Sequence, residues 1–210
     1  MTAIEDLTSA SFRQLPEEKR EAIARAARAE FAARGFERAS TNRIVLACGI
    51  AKGSLWNYFD GKEGLFLYLH ALAGRAMLER LRAARGRIAA GGGPLDRLSR
   101  AVELSLELYE ADPEGYRFSL TLAEPDARHL IPRYASLFPP GDGEELFASL
   151  VAPEGSGTDP ALARALRWML VGIKFEMQAR IGSGIGPAEL RAELKSALAS
   201  LSGLFKGVDA

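Results

Sequence analysis

At 210 residues the chain is long enough for one large domain or two small ones, and its single cysteine, Cys48, excludes an intrachain disulfide framework and favours a reducing compartment. The 27 basic and 27 acidic residues are unevenly distributed: residues 1–90 hold 15 basic and 10 acidic side chains, whereas residues 91–210 hold 12 and 17. The basic amino-terminal part permits a nucleic-acid or membrane-surface partner, although a chance asymmetry of a solvated surface would also account for the uneven charge. No apolar run approaches the ~20 residues that are needed to span a bilayer.

A short tail precedes the first predicted helix. Residues 1–14 have neither the basic nor the apolar region of a signal peptide, so we expect a flexible tail on a cytoplasmic protein with no membrane partner. Pro16 suits a first helical position, and the alanine-rich stretch that follows places Ile23 and Phe31 on one stripe. Gly35 is expected to end this helix.

Two short helices and a long one come next. Ser40 or Thr41 caps a helix that runs to about residue 47, Gly49 supplies a sharp turn, and a second short helix covers about 51–58. A long helix then extends to about residue 90, where the sequence GGGP marks a boundary. Further helices are predicted at about 95–111, 114–123, 125–137, 144–151, 160–181 and 187–206. Residues 116–122 alternate like a strand, but a lone strand would have no partner, so the whole chain is predicted to be all-α.

Residues 41–58 have the layout of a helix-turn-helix unit, whose second helix enters the major groove of DNA. This interpretation turns five apolar residues inward: Ile44, Ala47, Ile50, Leu55 and Phe59. It leaves a mixture of cations, small residues and aromatics for DNA: Lys52, Gly53, Ser54, Trp56, Asn57 and Tyr58, with Lys62 at a phosphate. Each of these could instead be an ordinary core or surface residue, because the helix-turn-helix pattern alone is a weak signal.

Residues 17–70 resemble the amino-terminal domain of the TetR family of transcriptional regulators. The residues that carry the resemblance are Phe31, Gly35, Phe36, Thr41, Ile44, Gly49, Ile50, Lys52, Gly53, Ser54, Leu55, Tyr58, Phe59, Lys62, Glu63 and Leu65. The resemblance implies a three-helix DNA-binding domain at residues 1–62, joined by a long helix to a helical ligand-binding and dimerisation domain at residues 63–210. It implies DNA contacts by Thr41, Asn42 and Arg43 besides those given above. Trp56 stands where the family usually has tyrosine, so an indole N–H replaces a hydroxyl.

The two last helices are predicted to form a homodimer interface. Both helices are too apolar to be covered from one side, which favours a four-helix bundle formed by two copies across a two-fold axis. The family resemblance implies the same arrangement. The alternative is that these helices belong to a large monomeric core. The residues expected in the interface are Leu162, Leu166, Leu170, Ile173, Leu190, Leu194, Leu198, Leu201 and Phe205.

The region after residue 94 is also expected to hold a small-molecule effector in a mostly apolar cavity. The candidate lining residues are Leu106, Tyr109, Tyr116, Phe118, Leu122, Trp168, Met169 and Phe175. Arg117, Arg128 and Arg133 lie nearby in sequence and suit a carboxylate or phosphate, which favours a fatty or aromatic acid, or its CoA thioester, over a cationic drug.

The leading functional prediction is a ligand-responsive transcriptional repressor. It would bind a pseudo-palindromic, double-stranded DNA operator as a homodimer and be released by its effector. A transcriptional activator on the same fold and an all-α enzyme or carrier are the alternatives. The sequence contains no nucleophile-elbow, phosphate-loop or zinc-protease motif, so we expect neither enzymatic activity nor a metal or other cofactor.

Overall fold

The computed structural model describes residues 4–51, 53–90, 92–139 and 159–206, except the side chains of residues 171, 174, 178 and 202–206. Its α-helices are α1 (Ala10–Arg13), α2 (Glu17–Arg38), α3 (Thr41–Cys48), α4 (Ser54–Tyr58), α5 (Gly61–Ala89), α6 (Pro94–Ala111), α7 (Pro113–Leu120), α8 (Ile131–Ala135), α9 (Pro160–Gly182) and α10 (Pro187–Lys206). Within these ranges there is no β-strand, so the all-α prediction is confirmed. The helix predicted at 144–151 lies outside the described residues. No helix in the described part is both long and apolar enough to cross a bilayer.

The turns around α3 fall where the sequence predicts them. Gly35, at φ 71° and ψ −179°, interrupts α2 three residues before its end, so the regular helix stops there. The Ser40 hydroxyl oxygen caps α3 by accepting a hydrogen bond from the Arg43 N–H at 3.4 Å. Gly49 ends α3 in the left-handed conformation, at φ 67° and ψ 28°. A sharp stop on both sides makes α3 a short helix of defined length.

The described chain packs as two compact units. The first contains Met1–Met77 and Glu114–Pro140, and the second contains Leu78–Pro113 and Gly141–Ala210. Helix α5 therefore contributes its amino-terminal part to the first unit and its carboxy-terminal part to the second. The predicted boundary at residue 62, between a DNA-binding and a ligand-binding domain, stays a prediction. The two units are defined by which residues pack together and not by what those residues bind.

An aromatic cluster forms the centre of the first unit. The fully buried Phe31 of α2 lies 4.9 Å, between ring centroids, from Phe66 of α5 and 6.4 Å from Phe118 of α7. Phe36 lies 5.0 Å from the same Phe66 ring. Offset and edge-to-face contacts of this kind add to the free energy gained from burial. The helices expected to read DNA thus share one core with residues from much later in the sequence.

Residues 4–14 are packed on this unit, which corrects the predicted flexible tail. Ser9 caps α1, and the Ser9 N–H donates to the Tyr58 carbonyl at 2.9 Å. Phe12 is buried, with its ring 4.7 Å from Phe59 and 5.8 Å from Tyr58. The prediction failed because the partners that bury Phe12 lie more than 45 residues away, where no local pattern reveals them.

Candidate DNA-binding surface and effector region

The inner faces of α3 and α4 anchor the two helices in the core. Ile44, Leu55 and Phe59 are buried as predicted. The prediction for Ala47 is wrong, because Ala47 is exposed. Val45 is buried instead, since α3 packs on the core through the adjacent residues Ile44 and Val45. The buried side chains leave the opposite face of each helix to solvent.

The outer face of α4 presents the residues expected to meet DNA. Trp56 keeps 48% of its surface exposed, and Asn57 is exposed beside it. Gly53 is exposed, and a Cβ atom added there would have no heavy atom within 4 Å, so a partner can approach its backbone closely. Ser54 and Tyr58 are half-buried. The predicted contact Lys52 lies outside the described residues.

The amino-terminal turn of α3 is tied to α2 by an ion pair. Arg43 Nη2 lies 2.6 Å from Glu30 Oε1, and Glu30 Oε1 also accepts the Ser40 N–H at 2.9 Å. The hydrogen bond from Arg43 lowers the pKa of Glu30, and the same bond raises the pKa of Arg43. Thr41 is half-buried and Asn42 is exposed on the same turn. Arg43 is therefore held against Glu30, and a phosphate contact by this residue stays a prediction.

Lys62 has a partner inside the protein. Its Nζ donates to the Glu37 carbonyl at 2.9 Å and lies 4.8 Å from the centroid of the Phe36 ring. Both contacts hold the ammonium group over the end of α2, where no sequence pattern predicts it. A phosphate contact by Lys62 stays a prediction that requires the ammonium to be shared with DNA or to leave Glu37.

The eight residues predicted to line the effector cavity are divided between the units. The first unit holds Tyr116, Phe118 and Leu122, and the second holds Leu106, Tyr109, Trp168, Met169 and Phe175. Phe118 is fully buried, and its ring stacks 4.1 Å from His70, so it is a core residue of the first unit. The predicted effector cavity therefore stays a prediction.

Helix α9 turns a different face to the interior than expected. Leu166, Leu170 and Met177 are buried in the second unit, whereas Trp168 is 70% and Phe175 52% exposed. The expectation that these two aromatics face an interior cavity is therefore wrong. They are seven residues apart, which places them on one side of the helix.

The residues predicted for the dimer interface also differ in exposure. Leu166, Leu170, Leu190 and Leu198 are buried, Ile173, Leu194 and Leu201 are half-buried, Leu162 is exposed, and the side chain of Phe205 is outside the described part. The four buried leucines belong to the core that α9 and α10 form with α6, so little of their surface is left for a partner. Periodicity alone does not show which partner covers an apolar face.

A cleft of about 300 Å³ lies between α6 and α10 in the second unit. Its floor is apolar and includes Val102, Leu106 and Leu198. Its lining also carries charged groups of both signs, among them Arg100, Lys195 and Glu103, and Lys195 Nζ lies 3.2 Å from Glu103 Oε1. The lining therefore combines an apolar surface with charged groups of both signs, the composition of a small-molecule site that could hold an amphipathic ligand.

The family comparison agrees with the geometry of α3 and α4. Residues 23–69 match the model of the family described as bacterial regulatory proteins, tetR family. No curated protein shows significant similarity to the chain. The matched residues include the interrupted end of α2, both helices of the turn and the beginning of α5.

Solved structures extend the similarity of fold to the rest of the chain. A transcriptional regulator FadR from Bacillus subtilis, in complex with stearoyl-CoA, superposes with a TM-score of 0.63 at 18% identity, covering 85% of this chain and 95% of that one. A TetR-like transcriptional regulator from Rhodococcus sp. RHA1 gives a TM-score of 0.61 at 22% identity, with coverages of 90% and 100%. The multidrug binding protein EbrR, complexed with imidazole, gives 0.58 at 20% identity, with coverages of 89% and 90%. Residues 23–69 therefore match the tetR family of bacterial regulatory proteins, and the chain has the fold of these solved TetR-like transcriptional regulators.

Proposed function

We propose that this protein is a ligand-responsive transcriptional repressor, which binds a pseudo-palindromic operator as a homodimer and releases it when a small, mostly apolar effector with an acidic end binds. The observation that carries the DNA-binding role is the outer face of α4, where Trp56 and Asn57 are exposed and Gly53 leaves open space. The buried Leu55 and Phe59 fix this face on the aromatic core.

The side chains of α4 suit the chemistry of the major groove. The Asn57 amide can donate one hydrogen bond to the edge of an adenine and accept another from it, and this pair of hydrogen bonds distinguishes adenine from the other bases. The Trp56 indole N–H can donate to a phosphate oxygen while its ring packs on a sugar. Asn42 on α3 and the lysines around α4 would add contacts to phosphates, which set affinity but carry no sequence information.

Homodimerisation is supported by the exposed face of α9. Trp168 and Phe175 lie on the same side with Gly172 between them, and a Cβ atom at Gly172 would meet no heavy atom within 4 Å. Large exposed aromatics beside a position without a side chain allow a second helix to approach closely. In this proposal, α9 of a second copy covers that face, and the interface centres on these residues rather than on the buried leucines.

The acidic effector is supported by the cleft between α6 and α10. Val102, Leu106 and Leu198 would receive an acyl chain or aromatic body. Arg100 and Lys195 would meet its carboxylate, or a phosphate of the CoA group in a thioester, and Lys195 would have to leave or share its ion pair with Glu103. The bound stearoyl-CoA of the similar FadR structure supports an acyl ligand, whereas the imidazole complex of EbrR makes a cationic compound the competing class. To change a dimer from mostly bound to mostly released, the effector must discriminate between the two states by ~10⁴-fold.

The proposal is tested in two steps: the protein first selects bound sequences from random duplexes, and release of the selected duplex by candidate effectors is then measured. We expect a two-fold symmetric sequence whose half-site centres lie ~34 Å apart, or a simple multiple of that. Stearoyl-CoA, free fatty acids, aromatic acids and cationic drugs are then compared for thermal stabilisation and for release of the selected duplex. Release by cationic drugs alone would refute the acidic effector, and a lack of any selected sequence would refute operator binding.

A further inference from the structure

The peptide groups of Glu37 are held from two sides. Its N–H donates to Asp126 Oδ2 at 2.9 Å, and its carbonyl accepts from Lys62 Nζ at 2.9 Å. Glu37 lies between Gly35, where α2 is interrupted, and Ser40, which caps α3. The two hydrogen bonds therefore fix the short segment that decides where and in what direction α3 begins.

Gly35 allows the acidic side chains to come this close. Its φ of 71° and ψ of −179° belong to a region of backbone conformation that is essentially limited to glycine. A Cβ atom at this position would lie 2.7 Å from Glu124 Oε2 and 3.5 Å from Asp126 Oδ2. The end of α2 and the turn at 124–126 are thus complementary in shape, with no room for a side chain between them.

Asp126 is itself held in place by the core of the first unit. The following residue, Ala127, is fully buried, and its N–H donates to the Glu124 carbonyl at 3.0 Å. Leu130 is buried in the same cluster. Asp126 Oδ1 is buried without a hydrogen-bond partner among the described residues, an arrangement that costs free energy and calls for an explanation. The backbone beside Asp126 is therefore held in place, and the hydrogen bond that its carboxylate makes among the described residues is to the segment that leads into α3.

We propose that Asp126 is a positioning residue for operator recognition: without touching DNA, it sets the start of α3 through the Glu37 N–H. The inference rests on the proposed DNA-binding function. Helices α3 and α4 share a core through Ile44 and Leu55, so a displaced start of α3 also displaces the surface that reads bases. Base contacts require accurate placement, whereas phosphate contacts tolerate small shifts, so the loss should fall on specific binding.

The test compares three substitutions at one position with a matched control. Asp126→Ala removes the acceptor, Asp126→Glu keeps the charge but moves it by one methylene, and Asp126→Asn keeps an acceptor oxygen at the original distance. Glu114→Ala removes an exposed carboxylate from the first turn of α7, elsewhere in the same unit. Each full-length variant is titrated with the duplex selected by the unsubstituted protein and with a scrambled duplex of equal length, and its melting temperature is recorded.

We expect Asp126→Ala and Asp126→Glu to lower operator affinity about tenfold, the worth of one charge-assisted hydrogen bond. Affinity for the scrambled duplex should change less than about twofold, because phosphate contacts remain. Asp126→Asn should restore most of the operator affinity, and Glu114→Ala should behave like the unsubstituted protein. If Asp126→Ala does not fold, the contrast between the Asn and Glu variants carries the same test.

Several results would overturn the inference. Unchanged operator affinity with a lowered melting temperature would make Asp126 a purely structural residue. Equal losses on both duplexes, or a Glu variant that binds better than the Asn variant, would exclude positioning through the hydrogen bond. If the unsubstituted protein selects an operator and all variants bind it equally, the inference alone fails. If it selects no sequence at all, the proposed function fails and the inference with it.

Discussion

The buried His70 makes the stability of the first unit depend on pH. Its side chain is only 3% exposed and stacks on Phe118 at 4.1 Å. The Thr121 hydroxyl donates its proton to the Phe118 carbonyl at 2.8 Å, so it accepts a hydrogen bond from His70 Nε2–H at 3.2 Å. Burial lowers the pKa of His70 from 6.5 to about 3.

The sign and size of the effect follow from that difference in pKa. Between pH 6.5 and about 3, the unfolded chain binds a proton at His70 that the folded chain does not, so stability is lost as the pH falls. Each pH unit below 6.5 costs about 1.4 kcal/mol, so lowering the pH from about 7 to about 5 should remove about 2 kcal/mol of unfolding free energy. The full contribution is present above pH 6.5.

The assay is urea unfolding at both pH values and one protein concentration, for the unsubstituted chain, His70→Leu and His129→Leu. On acidification from about pH 7 to about pH 5, we expect the unfolding free energy of His70→Leu to fall by about 2 kcal/mol less than that of the unsubstituted chain, because leucine binds no proton. His129 is the other histidine of the chain, so its replacement is the matched control for removal of an imidazole. Equal pH dependence in the His70→Leu and unsubstituted proteins would refute the assignment of a buried neutral imidazole.

Three further predictions concern packing, backbone and assembly. Phe31→Ala should cost about 3–5 kcal/mol of unfolding free energy because the ring is fully buried among aromatics; a loss below about 1 kcal/mol in urea would contradict this. Gly49→Ala should cost about 1 kcal/mol through its left-handed φ of 67° alone, since a Cβ there meets nothing within 4 Å, and unchanged stability would contradict the turn geometry. Trp168→Ser with Phe175→Ser should weaken the proposed dimer in sedimentation while leaving helix content intact; an unchanged dimer would exclude this face of α9 as the interface.

Local sequence signals were sufficient to predict the framework of the first unit. Ser40 as a cap, and Gly35 and Gly49 as turns, depend on the chemistry of single residues and their immediate neighbours. The apolar positions at Ile44 and Leu55 likewise follow from helical spacing. These features needed no knowledge of distant parts of the chain.

Contacts between distant segments could not be predicted in this way. The burial of Phe12 depends on Phe59, and the partner of the Glu37 N–H is a carboxylate 89 residues later. Neither contact has a periodic or motif-like signature. The exposed face of α9 was missed for a related reason: a helix that is apolar on more than one side does not show in its sequence which side its own protomer covers.

Repeating the duplex selection with Asn57→Ala is the decisive experiment on whether the outer face of α4 reads DNA sequence. The unsubstituted protein and Arg75→Ala, an exposed arginine of α5, serve as references. We predict that both references select the same two-fold symmetric sequence and that Asn57→Ala relaxes the preference at one symmetric pair of positions, with a loss of about 1–3 kcal/mol on the original operator. An identical preference and affinity for Asn57→Ala would contradict base reading by this residue, and the absence of any symmetric sequence in the unsubstituted protein's selection would contradict the account as a whole.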